Sequence, residues 1–313
     1  MDYNRLGNSG LKVSEIGLGT WLTFGERFGL EDAREQMHIA FDHGVNLFDT
    51  AELYANGLAE LMLGEILRGF VRSDVVVITK IFFGGDGIND MGHSAKRLRE
   101  GLDNSLRRLQ LDYVDIVFAH RFDVDTPMEE TVAAMDLIIK QGKALYWGTS
   151  EWEKEQIEEA HKVAMQMNAA PPRVEQPQYN MLHRTKVEKD FAELAKNYGM
   201  GMTIWSPLAS GFLTGKYLKS IPKESRYTKN PKFRHEDKKN DKQKVLKFMK
   251  MAKELGCSMA QLALAWCLKN KNVSSTLIGA TSEKQLVENL KSVQVKKKLT
   301  SSVMEKIDQV LKS

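Results

Sequence analysis

Val75-Val76-Val77-Ile78-Thr79-Lys80 and Val114-Asp115-Ile116-Val117-Phe118-Ala119-His120 bracket a segment in which Leu98, Leu102, Leu106 and Leu109 recur behind Ser94. Both outer runs are short and nearly all apolar, as strands buried on two faces must be. The leucine spacing of 4, 4 and 3 puts one apolar stripe on a helix with arginines opposite, and Ser94 suits its N-cap. Strand, helix, strand in that order predicts a helix lying on a parallel sheet.

The same beat recurs along the whole chain. Strands are expected at Ile16–Leu18, Asn46–Asp49, Val75–Lys80, Val114–His120, Ala144–Thr149, Val174–Gln176, Gly201–Trp205 and Ser275–Ile278. Ala33, Met37, Ala40 and Phe41 precede Gly44, and Val132, Met135 and Ile139 precede Gly142, each glycine suiting a left-handed helix stop. Gly7-Asn8-Ser9-Gly10 predicts an opening hairpin. Eight βα units predict a (β/α)8 TIM barrel, one domain over residues 1–313, with an N-terminal β-hairpin and a C-terminal extra helix. Nucleotide fingerprints of other folds are missing. Gly17-Leu18-Gly19 lacks the third glycine of a dinucleotide turn, Gly199-Met200-Gly201 precedes a strand, and Gly211 to Lys216 is one residue short of a P-loop.

The 313 residues carry 27% charged and 42% apolar side chains, enough for a packed core. A net charge of +4 creates no general field for polyanions, so nucleic acid is not an expected partner. The basic stretch from Lys229 to Lys250, broken by Glu236, Asp237 and Asp241, reads as a solvated mobile loop entering a helix. Cys257 and Cys267 fit neither a disulfide framework nor a zinc spacing and read as core thiols. Met1 to Leu11 lacks a signal-peptide pattern, and no apolar run nears the ~20 residues of a spanning helix. A soluble, cytoplasmic protein without membrane insertion is expected.

In such a barrel the chemistry sits where strands end. Asn46-Leu47-Phe48 ends in Asp49, with Tyr54 five residues on; the third run ends in Lys80 and the fourth in His120. Taken singly these are a strand-end lysine, a satisfied histidine and a loop aromatic. Together they describe a proton-transfer site, because an ammonium in a barrel mouth needs a counter-charge and Asp49 can supply it. Lys80 is expected to bring the Tyr54 phenol down from near 10, so that Tyr54 protonates a carbonyl oxygen while neutral His120 orients that oxygen. Reduction also needs a hydride, which no side chain provides, so a cofactor is implied. Trp205-Ser206-Pro207-Leu208 offers an aromatic plane, Gly211 and Gly215 permit close backbone approach, and Lys216 and Arg226 are available for phosphates. Gly279-Ala280-Thr281-Ser282 enters a helix where Ser282 and Gln285 have capping-box spacing; Gln285 and Asn289 share a face that suits either a base edge or plain surface polarity. Clustered metal ligands of a barrel hydrolase are not found at the strand ends.

The chain resembles the aldo-keto reductases, in the branch with the potassium-channel β subunits and their bacterial and plant relatives. The likeness covers essentially the whole sequence. It rests on Asn4-Arg5-Leu6-Gly7, Gly17-Leu18-Gly19-Thr20-Trp21, Asn46 to Ala51 with Tyr54, Thr79-Lys80, Tyr146-Trp147-Gly148-Thr149-Ser150, Glu175-Gln176, Trp205 to Leu208 and Gly279-Ala280-Thr281. The resemblance implies NADP(H), with Asp49, Tyr54, Lys80 and His120 as the catalytic tetrad. It places Ser150 and Gln176 on the nicotinamide carboxamide, Trp205 on the ring, and Thr20 and Trp21 beside nicotinamide and substrate. Ser206, Leu208, Ser210, Gly211 and Lys216 would surround the pyrophosphate; Gly279 belongs to the same binding loops. Arg226, Thr281 and Gln285 match residues near the 2′-phosphate, and Glu288 and Asn289 those near adenine.

Two positions depart from the β-subunit pattern. His120 stands where those subunits usually carry Asn, which favours an enzyme reducing small carbonyl compounds. Glu151 stands where they carry Arg, and its charge either tunes the nicotinamide end or faces solvent. The resemblance also implies a homotetramer and, as the alternative function, a redox-sensing cytoplasmic subunit docked on a potassium channel's cytoplasmic domain. Phe24, Phe28, Phe82, Phe83 and Phe122 read either as an apolar substrate pocket or as barrel-rim cover.

Overall fold

The computed structural model describes residues 1–223, 225–235 and 240–312. Strands β1 (Tyr3–Arg5) and β2 (Lys12–Ser14) pair antiparallel. Then β3 (Ile16–Gly19), β4 (Leu47–Asp49), β5 (Val76–Ile81), β6 (Val114–Ala119), β7 (Ala144–Thr149), β8 (Val174–Glu175), β9 (Gly201–Ile204) and β10 (Val273–Ile278) pair parallel in sequence order. Strand β10 bonds both β9 and β3 and closes the barrel. Helices α1 (Leu30–Asp42), α2 (Leu58–Leu67), α3 (Ala95–Leu109), α4 (Met128–Lys140) and α5 (Lys154–Gln166) follow β3 to β7 in turn. After β8 come α6 (Thr185–Glu188) and α7 (Asp190–Tyr198), and after β9 α8 (Arg226–Lys229), α9 (Asp241–Glu254) and α10 (Met259–Leu268). The chain finishes with α11 (Glu283–Leu290), α12 (Ser292–Lys296) and the extra helix α13 (Ser301–Lys312), which packs on α9. The fold is the expected (β/α)8 barrel; strand ends differ by one or two residues, and β5 runs past Lys80 to Ile81.

Alternation of side chains along a strand sorts the core into two layers. Leu47, Val76, Ile78, Ile116, Phe118, Val174 and Leu277 fill the barrel interior, and Leu6 and Val13 from the hairpin join them. Gly7 fits there because it adopts φ +56°, and a Cβ would lie 2.2 Å from the Gly199 carbonyl. In opposite phase, Val75, Val77, Ile81, Val117 and Ala119 pack outward among Leu98, Leu102, Leu106 and Leu109 of α3. Ser94 caps that helix, its hydroxyl accepting from the Arg97 N–H at 3.2 Å, and Gly44 and Gly142 take the left-handed stops expected of them.

This phase decides where the chemistry points. Asp49 follows Leu47, Lys80 follows Ile78, His120 follows Phe118 and Gln176 follows Val174, each two residues beyond an interior side chain. Thr79, in the other phase, faces out; its hydroxyl donates to Glu60 of α2 at 2.5 Å, and Arg108 of α3 donates to the same carboxylate at 2.6 Å.

Within the basic stretch, Glu236 and Asp237 lie outside the described residues; on either side His235 Nε2 meets Asp241 Oδ2 at 2.9 Å as α9 begins. Cys267 is buried in α10 and Cys257 half-buried just before it, and burial pushes both thiols up. Among the described residues no helix is long and apolar enough to cross a membrane.

Candidate active site

The Lys80 ammonium is fully buried and uses all three donors: on Asp49 Oδ2 at 2.6 Å, the Thr50 carbonyl at 2.9 Å and the Tyr54 hydroxyl at 3.0 Å. The structure thus brings three of the four proton-transfer residues into one bonded cluster. The other Asp49 oxygen accepts from the Gln176 side-chain amide at 2.9 Å, and the same nitrogen reaches Thr203 Oγ1 at 3.3 Å. Gln176 therefore orients Asp49, a role the sequence did not disclose. Tyr54 alone comes from a loop. It is delivered by a tight turn in which Ala55 (φ 49°), Asn56 (φ 53°) and Gly57 (φ 86°) are all left-handed, a strained run of the kind that gathers at functional sites.

Electrostatics follow from burial and these contacts. Burial alone would lower the Lys80 ammonium, but Asp49 and Tyr54 outweigh it and hold the group above its ordinary value. For Tyr54 burial is the largest influence and raises the phenol; Lys80 pulls down, Asp49 pushes up, and the result lies above the ordinary 10. The expected lowering by Lys80 is corrected here. The ammonium is in place, yet Asp49 already balances its charge, and the desolvated phenolate costs more than the residual attraction returns. Tyr54 is consequently a protonated donor at neutral pH.

His120 lies with its ring 6.2 Å from that of Tyr54. Burial, then Lys80 and Arg121, depress it well below its ordinary 6.5, so it is neutral as expected, and its Nδ1 is buried without a partner. Arg121 Nη1 donates to the His120 carbonyl at 2.5 Å and approaches Ser150 Oγ at 3.4 Å, while Ser150 donates to the Gln176 carbonyl at 3.1 Å. Of the five phenylalanines, Phe83 packs edge-on to His120 at 5.5 Å, Phe82 on His93 and Phe122 on Trp152, whereas Phe24 is a core residue.

Trp21 lies across the mouth, stacked on Tyr54 at 6.3 Å and edge-on to Trp205 at 6.2 Å. Thr20, behind it, donates its hydroxyl to Thr50 at 3.0 Å. The Arg226 guanidinium lies 4.7 Å over the Trp21 ring and 5.2 Å from the Phe233 ring. Its Nε and Nη2 are buried without partners. Phe233 and Glu151 are further residues at this mouth; Glu151 accepts the Trp205 indole N–H at 2.7 Å and the Gln178 backbone N–H at 2.6 Å.

Beyond β9, Ser206, Ala209, Ser210 and Gly211 all take positive φ, and the Ser210 N–H is held by Ser206 Oγ at 3.1 Å. A Cβ on Gly211 would sit 3.0 Å from Lys216 Cε and 3.2 Å from its Nζ, so the glycine lets the exposed ammonium lie against the loop. At α11 the capping box is only half formed. Ser282 caps the Gln285 N–H at 3.3 Å, but Gln285 Oε1 turns to the Thr281 N–H at 3.1 Å and hydroxyl at 2.8 Å, one residue outside the helix. Asn289 is buried while Gln285 is exposed, and the Glu288 carbonyl ties α11 to Gln261 of α10 at 3.0 Å. A glycine loop with an ammonium against it and a guanidinium with unpartnered buried donors fit a phosphorylated dinucleotide.

Comparison with known proteins agrees with this geometry. A probable voltage-gated potassium channel subunit beta of Oryza sativa subsp. japonica is 50% identical over 325 residues, covering 100% of this chain and 97% of that protein. A probable voltage-gated potassium channel subunit beta of Arabidopsis thaliana is 50% identical over 319 residues, with the same two shares. The model of the aldo/keto reductase family matches residues 15–312, from the strand that opens the barrel to its last helix. By sequence and by barrel alike, the chain belongs to the aldo/keto reductase family.

Proposed function

We propose that this protein reduces aldehydes or ketones to alcohols with NADPH, in one barrel domain spanning the chain. The observation that carries the reading is the Asp49–Lys80–Tyr54 cluster with neutral His120 beside it. Ser206, Leu208, Ser210, Gly211 and Lys216, with Gly279 of the last loop, would hold the pyrophosphate, Thr281 and Gln285 the 2′-phosphate, joined there by Arg226 once its guanidinium leaves the Trp21 ring, Glu288 and Asn289 the adenine, and Thr20, Trp21, Ser150, Gln176 and Trp205 the nicotinamide. When bound, the cofactor supplies the hydride.

The chain's own residues handle the proton. Tyr54 Oη donates it to the carbonyl oxygen as negative charge develops there. Lys80, positive and 3.0 Å away, stabilises the phenolate left behind. Asp49 keeps Lys80 charged, and Gln176 keeps Asp49 aimed. His120, neutral, has an N–H to give the same oxygen, and Trp21 and Phe83 cover the apolar side of the mouth.

The names of the two plant relatives favour a second reading, a β subunit of a voltage-gated potassium channel, which the family resemblance extends to a fourfold cytoplasmic assembly that reports the redox state of its cofactor. One experiment separates them. Purified protein is mixed with NADPH and a panel of aromatic aldehydes, beside Tyr54→Phe and with NADH as comparison. Turnover preferring NADPH, falling at least ~100-fold in Tyr54→Phe while NADPH binding persists, is the expected result. Tight NADPH binding without turnover on any carbonyl would sink the reductase reading in favour of the sensor.

A further inference from the structure

Glu151 has no counterpart in the tetrad, yet three loops converge on it. It follows β7 and takes a left-handed backbone, φ 59°, which a non-glycine residue adopts at a cost. One carboxylate oxygen accepts both the Trp205 indole N–H at 2.7 Å, from beyond β9, and the Gln178 N–H at 2.6 Å, from beyond β8. Trp205 and the segment after β8 are further laced by backbone bonds, Trp205 N to the Pro177 carbonyl at 3.1 Å and Tyr179 N to the Trp205 carbonyl at 3.2 Å. The main chain of Trp205 is thus tied to the segment after β8, and its indole is tied to Glu151.

The charge at this spot is as notable as the bond. Neighbouring Glu175 is fully buried, bonded through one oxygen to the Thr149 hydroxyl and unpartnered at the other. Burial pushes the Glu175 carboxyl far up, Thr149 opposes, and Glu151 pushes it further, so Glu175 is neutral.

We propose that Glu151 is a positioning and redox-tuning residue: it fixes the plane of Trp205 and sets a negative charge behind it, favouring the oxidised, positively charged nicotinamide over the reduced, neutral one. This rests on the NADP(H) reading above. A carboxylate near the nicotinamide end stabilises NADP+ and does nothing comparable for NADPH, so the bound couple becomes a stronger hydride donor. A positive side chain at the same position would push the other way.

The test is calorimetric titration of the purified protein with NADP+ and, separately, NADPH, for the unaltered chain, Glu151→Gln and Glu151→Ala, with tryptophan emission of each protein without added cofactor. Glu151→Gln keeps an acceptor for both N–H groups and loses only the charge. Its expected effect is a weakening of NADP+ relative to NADPH by about fivefold, with emission unchanged. Glu151→Ala is expected to shift the emission and to weaken both forms. Equal effects on the two oxidation states in Glu151→Gln overturn the charge assignment, and unaltered emission and affinity in Glu151→Ala overturn the positioning. An unaltered chain that binds neither form removes this inference and the cofactor reading together. Binding with the expected ratio but no carbonyl turnover supports Glu151 and removes only the catalytic reading.

Discussion

Replacing His93 with leucine should flatten the acid side of the stability profile. His93 is 0% exposed, and its neighbours are the Phe82 ring at 5.1 Å and the Trp152 ring at 6.1 Å. Burial depresses it from 6.5 to about 4, with Asp123 and the Ile81 backbone pulling the other way. Between those values the unfolded chain binds a proton that the folded one refuses, so stability falls as pH falls. The loss due to this one ring is about 1.2 kcal/mol on going from pH 7 to pH 5.5, about 2.4 kcal/mol by pH 4.5, and ~3.2 kcal/mol once below both values. Urea unfolding followed by tryptophan fluorescence at pH 7 and 5.5 measures it, each protein referred to its own value at pH 7. His120 and His161 stay in both proteins and cancel in the difference, and carboxylates titrate mostly below this window. An unaltered chain and a His93→Leu variant that lose equal stability between pH 7 and 5.5 would refute the reasoning, because the ring would then be free to take a proton where it sits.

Two further substitutions address the site. Lys80→Met leaves Asp49 buried without its cation and should cost ~3–5 kcal/mol in urea unfolding, whereas the double variant Asp49→Asn/Lys80→Met should recover most of that; a double variant no more stable than the single one would show that the pair is not coupled. Arg226→Met should raise the Kd of NADPH about tenfold while barely moving that of NADH, measured by fluorescence titration, and an equal loss for both would take Arg226 off the 2′-phosphate.

Asp49, Lys80 and His120 were legible because each ends an apolar run in the phase of the barrel's interior, and a period of two needs no knowledge of neighbouring strands. Tyr54 was not legible in that way. It lies in a turn set by the left-handed Ala55 and Asn56, and only its pairing with Lys80 and the family likeness drew it in. The direction of its proton affinity was misjudged because a sequence displays charges but not the desolvation that outweighs them. Gln176 was named for the cofactor, yet its amide is engaged with Asp49 across 127 residues of chain, a bond only closure of the barrel creates. Arg121 and Phe233 carried no signal at all, and Glu151 drew notice only through the family likeness, since each acts through loop conformations that side-chain periodicity cannot encode. The half-formed box at Ser282 shows the same limit: spacing permitted Gln285 to bond back to its cap, and the local chain path gave it Thr281 instead.

The phase rule of the strands has an evolutionary corollary. Because the tetrad's strand residues are the next in-phase positions above a packed interior, selection that preserves the core preserves their aim without acting on catalysis at all. Loops at the mouth are free to diversify in length and character, and with them the molecules that are admitted. Tyr54 is the one tetrad member outside this protection. A lineage that ceased to need a proton donor at the mouth would therefore be expected to lose the loop-borne hydroxyl long before the salt bridge beneath it.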